Sequence, residues 1–265
     1  MARRPHGMKT LLLSLAAVTG MALVPPAHGE DAAIAALFQE RGLVGAMVIS
    51  SRDGRTTYIH NEERARTRFA PASTFKIPNT LIALEVGAVA NEKAAVKWDG
   101  KDRGVPDWNR DQSIETAFPS SCVWFYQELA RRVGEERYAA YLPGLKYGNE
   151  QAGPELSTFW LEGDLRISAT EQVAFLKRLY VGAFPFKRSS YELLRRIMVV
   201  EQTPAYTVRA KTGWSPGSQV GWFVGYVEAG ETVWFFATNI EMARIEDAPL
   251  RQDITRAALR LKGII

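Results

Sequence analysis

The sequence predicts an α+β fold: a mostly antiparallel sheet built from both chain ends, flanked by helices, with a helical insertion lobe. Three observations predict it. Strand-like runs lie near the N-terminus and again over residues 206–240, helical periods fill the stretch between them, and the chain closes on an amphipathic helix.

The elements follow in order. Residues 1–29 read as an export signal, with Arg3, Arg4 and Lys9 before an apolar run over 11–24, then Pro25-Pro26 and the small-x-small pattern Ala27-His28-Gly29. That run is too short to span a bilayer comfortably, so cleavage, a periplasmic location and no remaining membrane attachment are expected. Residues 30–265 are expected to form one domain, with a sheet lobe over about 30–65 and 201–265 and a helical lobe over about 66–200. Residues 44–50 and 55–60 read as strands joined through Asp53-Gly54. A helix is predicted over 73–90, from the spacing of Ile77, Leu81, Leu84 and Val86 before Gly87. Further helical periods cover 123–141, 168–181 and 190–200, the second opening with a capping box, Ser168 to Glu171. Strands rich in Val, Trp, Phe and Thr are predicted at 206–212, 219–228 and 232–240, and the last helix at 249–261.

Composition removes several function classes. The chain holds 33 Lys+Arg against 29 Asp+Glu, but the leader takes three of the bases and no acid, so little basic excess remains. No basic stripe with interleaved aromatics replaces it, and nucleic acid is not an expected partner. Cys122 is the only cysteine, which rules out an internal disulfide. His6 and His28 leave with the signal, and His60, in a strand-like run ending in Asn61-Glu62-Glu63, reads as an ordinary surface histidine. No His, Cys or carboxylate cluster stands at ligand spacing, so no metal is expected. Any nucleophile must then be activated without imidazole.

The first candidate is Pro71-Ala72-Ser73-Thr74-Phe75-Lys76. Ser73 can cap or start the helix, and the i, i+3 spacing puts Lys76 on the same face. A lysine deprotonates a serine only when burial favours its neutral form. Alone, Ser-x-x-Lys is equally read as an N-cap serine followed by a solvated lysine. Lys211-Thr212-Gly213 is rarer; a cation, a hydroxyl and a glycine on an edge strand can bind a carboxylate and admit a substrate backbone. Between them stand Ser121-Cys122-Val123, Tyr147-Gly148-Asn149 and Phe159-Trp160-Leu161, in that order.

These five ordered motifs, with Trp98-Asp99-Gly100-Lys101 and Trp222-Phe223-Val224-Gly225, closely resemble the class D serine β-lactamases, the oxacillinases, over essentially residues 30–265. The resemblance implies a serine β-lactamase or penicillin-binding transpeptidase-like catalytic domain. It implies hydrolysis of β-lactam antibiotics, penicillins and oxacillin among them, and antibiotic resistance as the result. Ser73 would form the acyl-enzyme, and Lys76 would carry CO2 as an N-carboxylated general base, with no diffusible cofactor. Val123 and Trp160 would support that base, Trp160 through its indole N–H. Ser121 would relay a proton to the lactam nitrogen. Lys211, Thr212 and Arg251 would meet the substrate carboxylate beside Gly213, and the N–H groups of Ser73 and Trp214 would form the oxyanion hole. A solvated helix arginine remains the alternative for Arg251. Tyr147 and Asn149 are expected in the cleft wall, with a purely structural role left open, and Cys122 is expected to be inert. Two rivals stay open: a non-hydrolytic penicillin-binding sensor domain, and a cell-wall transpeptidase or carboxypeptidase, which would carry Ser-x-Asn in place of Ser121-Cys122-Val123. Monomer and homodimer are both compatible with the sequence.

Overall fold

The computed structural model describes residues 1–2, 29–215, 217 and 219–265; the predicted signal lies almost wholly outside them. The chain runs α1 (Ala32–Glu40), β1 (Gly45–Ser51), β2 (Thr57–His60), α2 (Glu62–Arg66), a 3-10 turn (Ala72–Phe75), α3 (Lys76–Glu85), α4 (Ile114–Ala117), α5 (Val123–Val133), α6 (Glu135–Leu145), α7 (Ala169–Tyr180), α8 (Arg188–Ile197), β3 (Val199–Gln202), β4 (Tyr206–Ser215), β5 (Val220–Ala229), β6 (Thr232–Glu241) and α9 (Leu250–Leu261). The strands form one sheet in the order β2-β1-β6-β5-β4-β3, every ladder antiparallel. Strands from both chain ends do meet, through β1 against β6.

Two apolar layers cover the sheet. On one face α1 and α9 pack on each other around Phe38, Phe236, Ile254 and Leu259. On the other, α7 lies directly on β1, β5 and β6, so this helix of the expected insertion lobe belongs to the sheet's own layer. Its predicted capping box is present, with Ser168 Oγ accepting from Glu171 N–H and Glu171 accepting from Ser168 N–H. α3 runs through the middle of the helical layer with Lys76 to Ala83 all buried, and its polar Asn79 and Thr80 are paired inside with the Tyr138 and Tyr126 hydroxyls at 2.6 and 2.7 Å. Pro78 sits in its first turn, where no backbone N–H is required. Among the described residues, no helix is long and apolar enough to cross a membrane.

Several expectations are corrected. The helix predicted over 123–141 is two helices, broken at Gly134, whose φ of 84° ends α5. The helix predicted over 190–200 stops at Ile197 and the chain turns into β3, a four-residue edge strand paired with β4. The helix predicted from Ser73 begins as a 3-10 turn without a side-chain cap and ends at Glu85.

Candidate active site

Ser73 sits in the 3-10 turn, which three contacts fix in place. Ala72 N–H donates to the Trp160 carbonyl at 2.9 Å, the buried Trp222 indole donates to the Ala70 carbonyl at 2.9 Å, and Thr74 Oγ1 donates to the Pro71 carbonyl at 2.7 Å. Ala72 takes φ of 48°, a left-handed conformation that costs a non-glycine residue about 1 kcal/mol or more. Holding the chain there presents Ser73 at the cavity while Ala72 and Thr74 stay buried. Gly213 of β4 closes on the same turn. A Cβ on it would lie 2.9 Å from the Pro71 carbonyl and 3.2 Å from Thr74 N, so this glycine admits the protein's own nucleophile turn.

Lys76 opens α3 wholly buried, with Nζ donating to Ser73 Oγ at 2.7 Å. Its surroundings are aromatic: Nζ lies 5.2 Å from the Tyr126 ring centroid, and the neighbouring Phe75 packs on Phe159 and Trp160 at 5.1 and 5.7 Å. Burial pulls the Lys76 ammonium down to about 7, so an appreciable fraction of the amine is neutral near neutral pH. The Trp160 indole Nε1 is buried and has no hydrogen-bond partner among the described residues, an unusual state for such a donor. The two facts fit an added anionic group on Lys76: a neutral amine to receive it and a free N–H to hold it.

Ser121 also takes a left-handed conformation, φ 58°, one residue before Cys122, and its Oγ accepts from Lys211 Nζ at 2.9 Å. Lys211 is buried on β4, with further contacts to Thr212 O at 3.2 Å and Thr212 Oγ1 at 3.4 Å. Burial first, then the charges of Lys76 and Arg251, hold its ammonium well below the usual lysine value. β4 is not the outermost strand, but β3 pairs only as far along it as Arg209, so Lys211-Thr212-Gly213 lies on a free length of strand edge. Arg251, in the first turn of α9, is buried rather than solvated; its guanidinium donates to the Gly213 carbonyl at 2.8 Å, and its Nε has no partner among the described residues. Trp214 is pinned by its indole donating to the Met242 carbonyl at 3.1 Å.

Ser73, Ser121, Val123, Thr212, Gly213, Trp214 and Arg251 all line one cavity of about 540 Å³. Lys76 and Trp160 stand behind it. Tyr147 and Asn149 do not line it, which corrects their expected place in the cleft wall. Tyr147 is buried against Phe75 and Phe175, and Asn149 clasps the 164–166 segment, donating to the Asp164 carbonyl at 2.7 Å and accepting from Arg166 N–H at 2.9 Å. Gly148, at φ 60°, lies so close to the Arg166 carbonyl that no side chain fits. The motif is a fastener for the segment that carries Trp160. Cys122 is buried and its thiol pushed up by burial, as expected of an inert residue. His60 sits on edge strand β2, paired with Glu30 at 2.5 Å. Sequence reasoning did not single out Glu162 or Ile245 as cavity residues, or Met242 as the anchor of Trp214. None belongs to a motif, so only the fold brings them in.

The model of the penicillin-binding protein transpeptidase domain family matches residues 34–260. β-Lactamase OXA-48 of Klebsiella pneumoniae is 40% identical over 264 residues, covering 97% of this chain and 100% of the relative. β-Lactamase OXA-20 of Pseudomonas aeruginosa is 41% identical over 225 residues, 84% of this chain and 83% of the relative. Among solved structures, the class D β-lactamase YbXI from Nostoc superposes with a TM-score of 0.85 at 42% identity, over 88% of this chain and 99% of the other. FUS-1 (OXA-85) from Fusobacterium nucleatum subsp. polymorphum gives 0.86 at 35% identity, over 89% and 100%. Identity at this level over nearly the full length, together with the same fold, establishes that the chain belongs to the class D β-lactamases, within the penicillin-binding protein transpeptidase family.

Proposed function

We propose that the protein hydrolyses the amide bond of β-lactam antibiotics, penicillins and oxacillin among them, through an acyl-enzyme on Ser73, and that it confers resistance from the periplasm after export. The observation that carries the reading is the buried Lys76 amine, near 7 in its titration and 2.7 Å from Ser73 Oγ. A carboxylate on the substrate is drawn to Lys211, Thr212 and Arg251, which places the lactam carbonyl over Ser73. Ser73 Oγ gives its proton to the Lys76 side chain and bonds to the carbonyl carbon, while the N–H groups of Ser73 and Trp214 hold the developing oxyanion. Ser121 Oγ, bonded to Lys211, passes its proton to the lactam nitrogen as the C–N bond breaks and is reprotonated by the proton that the Lys76 side chain took from Ser73, which frees that base for the second half-reaction. Water then attacks the ester carbonyl, loses its proton to the Lys76 side chain, and Ser73 leaves with a proton restored.

CO2 is proposed as a covalent addition to Lys76 Nζ, held by the Trp160 indole with Val123 shielding it. It would supply an anionic oxygen base in place of the amine. Support comes from the neutral amine and the unpartnered Trp160 N–H. Purified protein incubated with a chromogenic cephalosporin and with oxacillin, bicarbonate present, tests the reading. Many turnovers per Ser73 are expected. A single stoichiometric acylation without release would instead identify a sensor.

A further inference from the structure

The cavity is electrically lopsided, and the lopsidedness reaches beyond the chemistry of ring opening. Arg251 and Thr212, with Lys211 behind them, lie on β4 and α9. Glu162 is the one acid among the described residues that line the cavity; it follows Trp160 and Leu161 on the segment whose Trp160 carbonyl holds the nucleophile turn. Its side chain is exposed and makes no hydrogen bond or ion pair with the described residues. Much of the remaining lining is apolar, from Val105, Trp108, Val123 and Ile245. A β-lactam carries its carboxylate at one end of the bicyclic nucleus and its acylamino side chain at the other. The carboxylate is attracted to the cations and repelled by Glu162, so both forces orient the molecule the same way, with the side chain toward Glu162.

We propose that Glu162 is a specificity-determining residue that favours β-lactams whose acylamino side chain carries a cation, such as an α-ammonium, over those carrying an anion there. The inference rests on reading this site as a β-lactam site. Three penicillins differing only at the α-carbon of the side chain serve as probes: ampicillin (ammonium), benzylpenicillin (neutral) and carbenicillin (carboxylate). The readout is the ratio of kcat/KM for ampicillin to that for carbenicillin within each protein, which cancels any general loss of activity or folded fraction. An exposed charge at side-chain distance moves that ratio by about three- to tenfold. Glu162→Gln is expected to lower it by that factor, Glu162→Lys to lower it further, and Glu162→Asp to retain most of it, with the wild-type ratio shrinking in high salt. An unchanged ratio in both Glu162→Gln and Glu162→Lys, with benzylpenicillin turned over by the wild type, overturns the role of Glu162 alone. No turnover of benzylpenicillin by the wild type overturns the underlying reading instead.

Discussion

Two lysines stand behind one cavity, each hydrogen-bonded to a serine that lines it: Lys76 to Ser73 at 2.7 Å and Lys211 to Ser121 at 2.9 Å. Both are buried and both have their ammonium destabilised by burial. The difference lies in what stands beyond the serine. Lys76 begins a helix beside the Tyr126 ring, and its neighbour Phe75 stacks on Trp160, whose buried indole N–H has no partner among the described residues. Lys211 lies on a strand, shares its end of the cavity with Arg251, and has no carboxylate partner among the described residues. In the proposed reaction, burial without an acid leaves the first partly neutral near pH 7 and available as a base. The same burial beside a second cation makes the other a receptor that gains most when a substrate carboxylate arrives. One residue type therefore serves two purposes, and the neighbours decide which.

Removing Lys76, and then the arginine that stands with Lys211, breaks the comparison most sharply. Lys76→Met should reduce kcat about 10³-fold or more, since the base that takes the proton of Ser73 in acylation and of water in deacylation is lost. It should also stabilise the fold by roughly 1–3 kcal/mol, because a buried amine is replaced by an apolar chain of similar volume; denaturant melts check this. Arg251→Ala, beside Lys211, should act chiefly on KM, raising it about 10- to 100-fold for carboxylate-bearing substrates, and steady-state kinetics separate the two signatures.

A smaller effect sharpens the same contrast through pH. With Lys76 near 7 when folded against an ordinary 10.5, the native state binds fewer protons across that window. Stability therefore rises with pH between about 7 and 10.5, and this contribution is flat below 7, where both states are protonated. Activity runs with the neutral amine, so kcat is expected to fall as pH drops below about 7. Lys211 must be charged to hold a carboxylate, and its ammonium sits below the ordinary lysine range. KM should therefore rise as pH climbs toward that range.

Much of this was legible in the sequence. The capping box at Ser168, the Val- and Phe-rich strands β5 and β6, and the Ser73 and Lys76 spacing all carry local signals that tertiary structure preserved. α1 was missed although Asp31 signals its start, capping it by accepting from Ile34 N–H at 3.0 Å. β3 was missed because Val199 and Val200 extend the helical run of α8, and only pairing with β4 makes them a strand. The left-handed turns at Ala72 and Ser121 carry no glycine to announce them. Tyr147-Gly148-Asn149 was visible as a motif, but its purpose was not, because the Asp164 and Arg166 backbone that it fastens lies some fifteen residues away.

The central proposal is that Lys76, a buried amine partly neutral near pH 7, takes CO2 and serves as base to Ser73. The direct test is carbon-13 NMR of the protein equilibrated with ¹³C-bicarbonate at neutral pH. The account predicts a carbamate resonance that is absent from Lys76→Ala, weakened in Trp160→Ala, and lost together with activity on acidification or removal of CO2. Full turnover in CO2-free buffer, with no such resonance in the wild type, would contradict it.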